Sequence, residues 1–290
     1  ITNIELDHPD HYESLENVIE TFRTFAQQCQ VWVGCLDSPV LCQHLSPPLT
    51  YSLDPDRGAQ YSVARVDYQG NGTVADILEN GTVLGSVHLK LLGSHNLSNV
   101  LAVIAVTRYL GLPFEAVATA IATFEGAKRR FEYRGHCQNI LFVDDYAHHP
   151  SEIQVTLAAA RLQVKTETTT FPVKPSRVVA IFQPHRYSRT QALLIDFAQS
   201  FGDADVVLIS DIYGAGEARP ENLDGSALAN QIAQYHPQVE YCASLEAVSA
   251  WLCNHLRSGD VALFLGAGNL NQIITPVLQQ LQSRPQPTLG

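Results

Sequence analysis

Five short, largely apolar runs lie at residues 140–143, 178–182, 206–210, 239–242 and 261–265, with intervals between them long enough for helices. No other feature constrains the fold as strongly. A strand that is apolar along its whole length must be covered on both faces, and a strand–helix–strand rhythm supplies that cover. The pattern predicts an α/β fold with a mostly parallel sheet and helices on both faces. Its helices are expected at residues 151–163, 188–201, 225–235, 245–257 and about 270–282. Residues 165–175 are polar, contain prolines and show no period, so they read as a surface loop.

The first half changes period. Residues 1–4 read as the end of a strand. Ser14 opens a helical pattern that sets Leu15, Val18, Ile19, Phe22 and Phe25 on one face. Residues 31–36 form a short apolar run, residues 40–45 a helical turn, and Ser46-Pro-Pro48 breaks the chain. Residues 61–68, 73–78 and 82–92 alternate in polarity, separated by Gly70-Asn-Gly72 and Asn80-Gly81. Asn-Gly between alternating runs signals a hairpin, because both turn residues must reach positive φ; a small antiparallel meander is expected. A helix opens near Ser94, with Val100, Val103, Ile104, Val106 and Leu110 as its apolar positions, and another spans residues 113–124. The domain boundary is placed at Gly126.

With 46% hydrophobic residues the chain can bury a core, and no apolar window reaches the length of a membrane span. A net charge of -11 argues against nucleic acid and membrane surfaces as partners. The six cysteines are scattered without a C-x-x-C, as in a reducing compartment.

The chemistry-bearing residues follow the strands. The run at 140–143 ends in Asp144-Asp-Tyr-Ala-His-His149, and Pro150 opens the next helix. Ligands of open α/β sheets bind beyond the carboxyl ends of strands, so two carboxylates, a phenol and two imidazoles at that turn read as a site. Gln183-Pro-His-Arg-Tyr-Ser-Arg-Thr190 brings His185, Arg186 and Arg189 to the same edge, a set suited to an anionic ligand. Asp211-Ile-Tyr-Gly-Ala-Gly-Glu217 and Gly266-Ala-Gly268 read as flexible loops there. The second lacks the third glycine of G-x-G-x-x-G and follows the last strand, so it is read as a tight turn with close backbone approach.

Three further groups are open to two readings each. Glu5, Asp7, His8, Asp10 and His11 suit a divalent cation such as Mg²⁺ or Mn²⁺, and equally a solvated loop in which Asp7 caps a turn. Asn96 and Asn99 share a helix face and suit a purine edge, while Ser94 or Asn96 also suits the helix N-cap. Lys128, Arg129 and Arg130 suit phosphate or carboxylate oxygens, or a solvated linker.

Taken in order, Thr2-Asn-Ile-Glu-Leu-Asp-His8, Ser94-His-Asn-Leu-Ser-Asn99, Gly126-Ala-Lys-Arg-Arg-Phe131, Asp144-Asp-Tyr-Ala-His-His-Pro-Ser-Glu152 and Gln183-Pro-His-Arg-Tyr-Ser-Arg-Thr190 resemble the Mur ligase family. Within it they look like the branch that adds the first amino acid. The resemblance covers essentially the whole chain. It implies that residues 1–126 are the later part of the central ATP-binding domain and residues 127–290 the Rossmann-like C-terminal domain. It implies a cytoplasmic enzyme of peptidoglycan precursor synthesis that joins L-alanine to UDP-N-acetylmuramate through an acyl phosphate, using ATP and Mg²⁺ or Mn²⁺. His8 would ligate the metal, with Glu5 and Asp7 near it. Asn96 and Asn99 would contact adenine, with His95 beside them. Arg129 or Arg130 would reach the phosphates, Arg130 with a catalytic part. Asp144, Asp145 and Tyr146 would contact ribose and base. His148 and His149 would face the reacting centre. His185, Arg186 and Arg189 would position the alanine carboxylate, the two arginines also steadying the charged intermediate.

The chain departs from that family in lacking a G-x-x-x-x-G-K-[ST] phosphate loop and the domain that holds the UDP-sugar. It also has no methionine. It therefore reads as a piece of a longer polypeptide, expected to have negligible ligase activity by itself. Relatives that add later residues carry a carbamylated lysine after the Asp-His pair; the stretch here has Arg23, and no carbamate is expected. Two rival readings are a murein tripeptide ligase and an NAD(P)-binding oxidoreductase domain. The second requires a glycine fingerprint where this chain has Asp144-Asp-Tyr. Oligomeric state leaves no mark in the sequence.

Overall fold

A computed structural model describes residues 1–9 and 11–283. The chain divides into two compact units, Ile1–Gly126 and Ala127–Gly290.

In the first unit, helix α1 (Leu15–Gln28) starts where expected: Ser14 accepts a hydrogen bond from the N–H of Asn17, satisfying one of the helix's open donors. Val18 and Ile19 pack with Ile4 and Leu41 in a small core. That core underlies only the helix's first two turns, which leaves Phe25 exposed, contrary to its expected place on the buried face. Strand β1 (Val33–Cys35), helix α2 (Pro39–His44) and strand β2 (Leu49–Tyr51) follow. The three residues of β2, directly after a proline pair, carried no sequence signal. Residues 1–4 are not a strand; the Ile1 amino group donates to the Val33 carbonyl, and the Cys35 N–H donates back to Ile1.

The meander forms as β3 (Tyr61–Gln69), β4 (Gly72–Glu79) and β5 (Thr82–Leu89). Asn80 and Gly81 take φ of 51° and 77°, the doubly left-handed turn that matches strand twist. The sheet order is β1-β2-β3-β4-β5, parallel up to β3 and antiparallel beyond it. Helices α3 (Ser94–Tyr109) and α4 (Phe114–Thr123) cover it. On α3 the buried stripe is Leu97, Val100, Leu101, Ile104 and Ala105, so Val100 and Ile104 lie on the expected face, while Val103, Val106 and Leu110 are exposed. Counting the helical period from Leu97 puts those three on the outer side, which corrects the expected apolar face.

In the second unit the strand–helix rhythm holds. Its elements are β6 (Glu132–Cys137), β7 (Ile140–Asp145), α5 (Pro150–Lys165), β8 (Arg177–Phe182), α6 (Tyr187–Ala192), α7 (Leu194–Ala198), β9 (Val206–Ser210), α8 (Gly225–Ile232), β10 (Val239–Cys242), α9 (Leu245–His255), β11 (Asp260–Leu265) and α10 (Ile274–Gln282). The sheet order is β10-β9-β8-β11-β7-β6, parallel except for the β6–β7 hairpin. The edge strand β6 was missed because it is polar and irregular. The helix expected over residues 188–201 is two short helices that break at Leu193. The last helix begins with a 3₁₀ turn, Leu270–Ile273.

Both faces of this sheet are covered, as the apolar runs required. Leu141, Val143, Val178, Ala180 and Phe182 join the core under α5, α7 and α8, and Ile140, Phe142, Val179 and Ile181 join the core under α9 and α10. The step from β7 to β8 leaves a place that β11 later fills. The loops after β7, β11, β8 and β9 therefore stand side by side at the carboxyl edge, where such sheets bind ligands.

Candidate active site

Asp144 and Asp145 are the last residues of β7, not turn residues, with 1% and 4% of their surfaces exposed. Asp145 accepts the Ala147 N–H through Oδ1 (2.8 Å) and the Phe131 N–H through Oδ2 (2.7 Å). Burial pushes its pKa up to about 6, against the pull of these two N–H groups. Asp144 accepts from Arg134 at 3.1 Å and lies 3.5 Å from Arg129 Nε. Burial raises its pKa too, with the two guanidinium groups opposing. Asp145 thus holds the turn through two N–H groups, and Asp144 lies between two guanidinium groups. Of the three residues, Tyr146 is the exposed one.

The basic pair separates in the same way. Arg129 donates to the Gly266 carbonyl and lies 4.8 Å above the Tyr146 ring, while its own carbonyl accepts the Tyr146 N–H at 2.8 Å. It is a strut joining two loops. The Arg130 side chain is 54% exposed, 3.5 Å from Glu152, and 5.9 Å from the Tyr146 ring centre. Arg130 is the more exposed of the two.

The two neighbouring histidines also part company. His149 is the N-cap of α5, and Glu152 Oε2 accepts the N–H groups of His148 (2.9 Å) and His149 (3.2 Å). That is the return half of a capping box. The His149 ring is buried with Nδ1 2.9 Å from Ser151 Oγ. The His148 ring instead meets Tyr146 edge-on at 5.3 Å and His185 at 6.1 Å. His148 is thereby in ring contact with two other groups of this edge.

The loop after β8 is tied down on both sides. Gln183, itself buried, accepts the N–H groups of Asn269 (2.9 Å) and Leu270 (3.0 Å) through Oε1 and donates from Nε2 to Asn269 Oδ1 (2.9 Å). Tyr213 donates its N–H to Pro184, accepts the Arg186 N–H, and stacks on the His185 ring at 5.7 Å with 18° between planes. Arg186 sits at φ 71°, ψ 136°, a conformation that costs a non-glycine residue of order 1–3 kcal/mol. Glu217 holds that corner: it accepts from Ser188 N–H (3.0 Å) and Oγ (2.6 Å) and pairs with Arg186 at 3.5 Å. Burial works against the Glu217 carboxylate, but the Ser188 and Tyr187 bonds and Arg186 leave its pKa lowered. Arg189 is 1% exposed with Nη1 3.3 Å from His185 Nδ1. Burial, then Arg189, His148 and Arg186, pushes the His185 pKa down to about 4.

The loops read as flexible are therefore hydrogen-bonded in place. Gly266-Ala-Gly268 makes the close approach expected of it: a Cβ on Gly266 would stand 2.8 Å from the Gln183 carbonyl, and one on Gly268 2.3 Å from Gln183 Oε1. Gln183, Tyr213 and Glu217 escaped assignment to the site. The only signal in the chain was a polar residue ending an apolar strand, and a tyrosine and a glutamate framing a Gly-Ala-Gly turn.

In the first unit, His8 is exposed at φ 53°, its N–H donates to Asp7 Oδ1 at 2.7 Å, and its Nε2 lies 3.6 Å from Asp7 Oδ2. Among the described residues no three His, Cys, Asp or Glu side chains converge on a metal position, and Asp10 lies outside them. Gly93, not Ser94 or Asn96, is the N-cap of α3. The Asn96 amide donates to Leu92 O at 2.7 Å, which commits part of its hydrogen-bonding edge; Asn99 is exposed one turn on. His95 is half-buried on the same helix start.

Fold and edge chemistry define an α/β protein whose mostly parallel sheet gathers cationic and imidazole groups at its carboxyl edge. Comparison with known proteins carries this further. Residues 1–107 match the Mur ligase middle domain and residues 129–268 the Mur ligase glutamate ligase domain, and the chain belongs to the Mur ligase family. It is 58% identical over 278 residues to the UDP-N-acetylmuramate–L-alanine ligase of Synechococcus elongatus, covering 96% of this chain and 58% of that protein. The crystal structure of UDP-N-acetylmuramate–alanine ligase from Thermotoga maritima superposes with a TM-score of 0.74 at 25% identity, over 96% of this chain and 57% of that one. A murein peptide ligase from Psychrobacter arcticus shares the fold, with a TM-score of 0.65 at 21% identity over 99% of this chain and 58% of that one. The chain thus spans less than two thirds of the length of these relatives. No helix among the described residues is long and apolar enough to cross a membrane.

Proposed function

We propose that the protein carrying this chain joins L-alanine to UDP-N-acetylmuramate at the expense of ATP. One observation carries the reading: in an acidic chain, the strand ends of the second unit gather Arg130, Arg186, Arg189, His148 and His185 around loops held by buried hydrogen bonds. Relatives that share more than half of its residues are named for that reaction.

The chemistry asks for such a set. A carboxylate cannot acylate an amine directly, because its leaving group would be oxide. Transfer of the γ-phosphoryl group to a carboxylate oxygen breaks the phosphoryl–oxygen bond to ADP and forms an acyl phosphate. The alanine amine, in its neutral form, then attacks the acyl carbon; phosphate leaves and the amine loses a proton. Phosphoryl transfer depends on positioning and charge neutralisation more than on covalent help from the protein. Arg130 supplies an exposed guanidinium for phosphoryl oxygens, and Arg186, fixed by Glu217, supplies another for a carboxylate. Tyr146 offers the face of its ring to a nucleotide. Asn99, with Asn96 and His95 behind it, offers a carboxamide to a purine edge.

Asp7 and His8 fit a divalent cation that takes only one or two protein ligands and completes its shell with water and phosphate oxygens. Mg²⁺ suits the carboxylate, and Mn²⁺ tolerates the imidazole as well. When bound there, the ion would neutralise phosphate charge.

The test measures ADP release by the full-length protein with UDP-N-acetylmuramate and either L-alanine or the tripeptide of murein as acceptor. L-alanine is expected to drive turnover and the tripeptide to fail. Arg130→Ala should lower kcat/KM by at least about tenfold, the value of one charge-assisted hydrogen bond, with an unchanged melting temperature. Arg129→Ala should cost stability as well, about 2 kcal/mol, because it removes a strut. ADP release indifferent to L-alanine would end the reading.

A further inference from the structure

Arg130 sits between two residues of left-handed backbone: Arg129 has φ 56° and Phe131 φ 50°. Bulky side chains rarely take that region, because their Cβ crowds the backbone. Such a conformation persists only where the surrounding contacts outweigh its strain. Arg129 is held from within the edge, its N–H donating to Glu132 Oε2 at 2.8 Å and its guanidinium to the Gly266 carbonyl. Phe131 donates its N–H to Asp145 Oδ2 at 2.7 Å. Its ring is held by a residue from elsewhere.

That residue is Phe171, in the loop between α5 and β8. The loop is polar in sequence, yet Phe171 at its middle is buried and joins the core on the α5 side of the sheet. Its ring centre lies 6.1 Å from that of Phe131 and 5.7 Å from that of Tyr133. The loop is fastened as well. Gln163, fully buried on α5, accepts the Thr169 hydroxyl at 2.6 Å and the Thr170 N–H at 3.3 Å. Thr169 Oγ1 in turn accepts the Phe171 N–H at 3.1 Å. A buried carboxamide is tolerated when its polar atoms are bonded, and here bonds to the loop do that. The Arg130 side chain is 54% exposed, so its direction follows the backbone on either side of it more than packing of its own.

We propose that Phe171 is a positioning residue for the ligation: the loop after α5 is a strap that pins the Phe131 ring and so sets the direction of Arg130. Phe171 acts through Phe131 and meets no substrate. Phosphoryl oxygens as the target of Arg130 rest on the proposed ligation; the pinning does not.

Two measurements test the strap. Trypsin acts on the 290-residue chain at Lys128, Arg129 or Arg130 only when that segment is released, and mass spectrometry reads the sites. Phe171→Ala should speed cleavage there by at least about fivefold, while cleavage after Arg257, at the opposite edge of the sheet, keeps its rate. Thr169→Val, which removes the bonds to Gln163 and to the Phe171 N–H at almost constant volume, should act in the same direction and decides the matter if Phe171→Ala does not fold. In the full-length protein Phe171→Ala should lower kcat/KM for ADP release by about fivefold, but by less than about twofold in the Arg130→Ala background, because a residue acting through Arg130 has nothing left to position. Unchanged cleavage at residues 128–130 overturns the strap, and an equal loss of activity with and without the arginine overturns its action through Arg130. Trypsin needs no turnover, so the strap stands or falls apart from the L-alanine assay.

Discussion

Gln183→Leu isolates the latch that holds the site loops. The substitution keeps the volume of the side chain but removes the acceptor shared by the Asn269 and Leu270 N–H groups. Leu270 is 1% exposed, so its N–H finds no water and costs about 1–3 kcal/mol. The Asn269 N–H is half-buried, and its lost bond costs about 1 kcal/mol. The second unit should therefore lose about 2–4 kcal/mol. With a urea dependence of about 2 kcal/mol per molar, the unfolding midpoint should fall by about 1–2 M. Trp251 lies on α9 and reports this unit once Trp32 is replaced by Phe, so tryptophan fluorescence against urea is the assay.

The same latch has a second partner. In Gly268→Ala the new methyl would lie 2.3 Å from Gln183 Oε1 and 2.9 Å from the Tyr213 ring. The clash must displace Gln183, so the two substitutions attack one set of bonds. Their double variant should cost at least about 1 kcal/mol less than the sum of the singles. A midpoint shift below about 0.3 M for Gln183→Leu, or additivity within about 0.5 kcal/mol, would refute the latch.

Two further outcomes follow from buried charge. Asp260 is 0% exposed and receives both Arg177 Nε (2.7 Å) and Nη2 (2.6 Å) at the start of β11; Asp260→Asn should cost about 3 kcal/mol in urea unfolding. Asp145 has its pKa raised to about 6, above the ~3.9 of an unfolded chain. The folded state therefore binds the extra proton between those values, and this group's contribution to stability falls as pH rises through them, by up to ~3 kcal/mol. Stability measured from about pH 4 to 6.5 should fall less steeply in Asp145→Asn than in the wild type, and parallel profiles would contradict the burial argument.

The architecture of the second unit was legible because burial on both faces leaves a strand little choice of residue: residues 140–143, 178–182, 206–209 and 261–265 are apolar throughout, and all lie in strands of one sheet. The Asn80-Gly81 turn was legible because its backbone demands positive φ. Strand β6 and strand β2 were not, since their pairing partners, rather than their own residues, make them strands. The sequence also placed Asp144-Asp-Tyr-Ala-His-His149 and Gln183-Pro-His-Arg-Tyr-Ser-Arg-Thr190 at one edge, because position after a strand is a property of chain order. It could not rank residues within those runs. Neighbours such as His149 and His148, or Arg129 and Arg130, have the same chemistry on paper and different surroundings in space. Tertiary structure decided that Asp145, His149 and Arg129 are tied into loop hydrogen bonds, while Tyr146 and Arg130 are exposed and His148 is half-buried. The cause is direction: side chains one residue apart leave the backbone to different sides, and only the packed loops determine which side meets an N–H group and which meets a ligand.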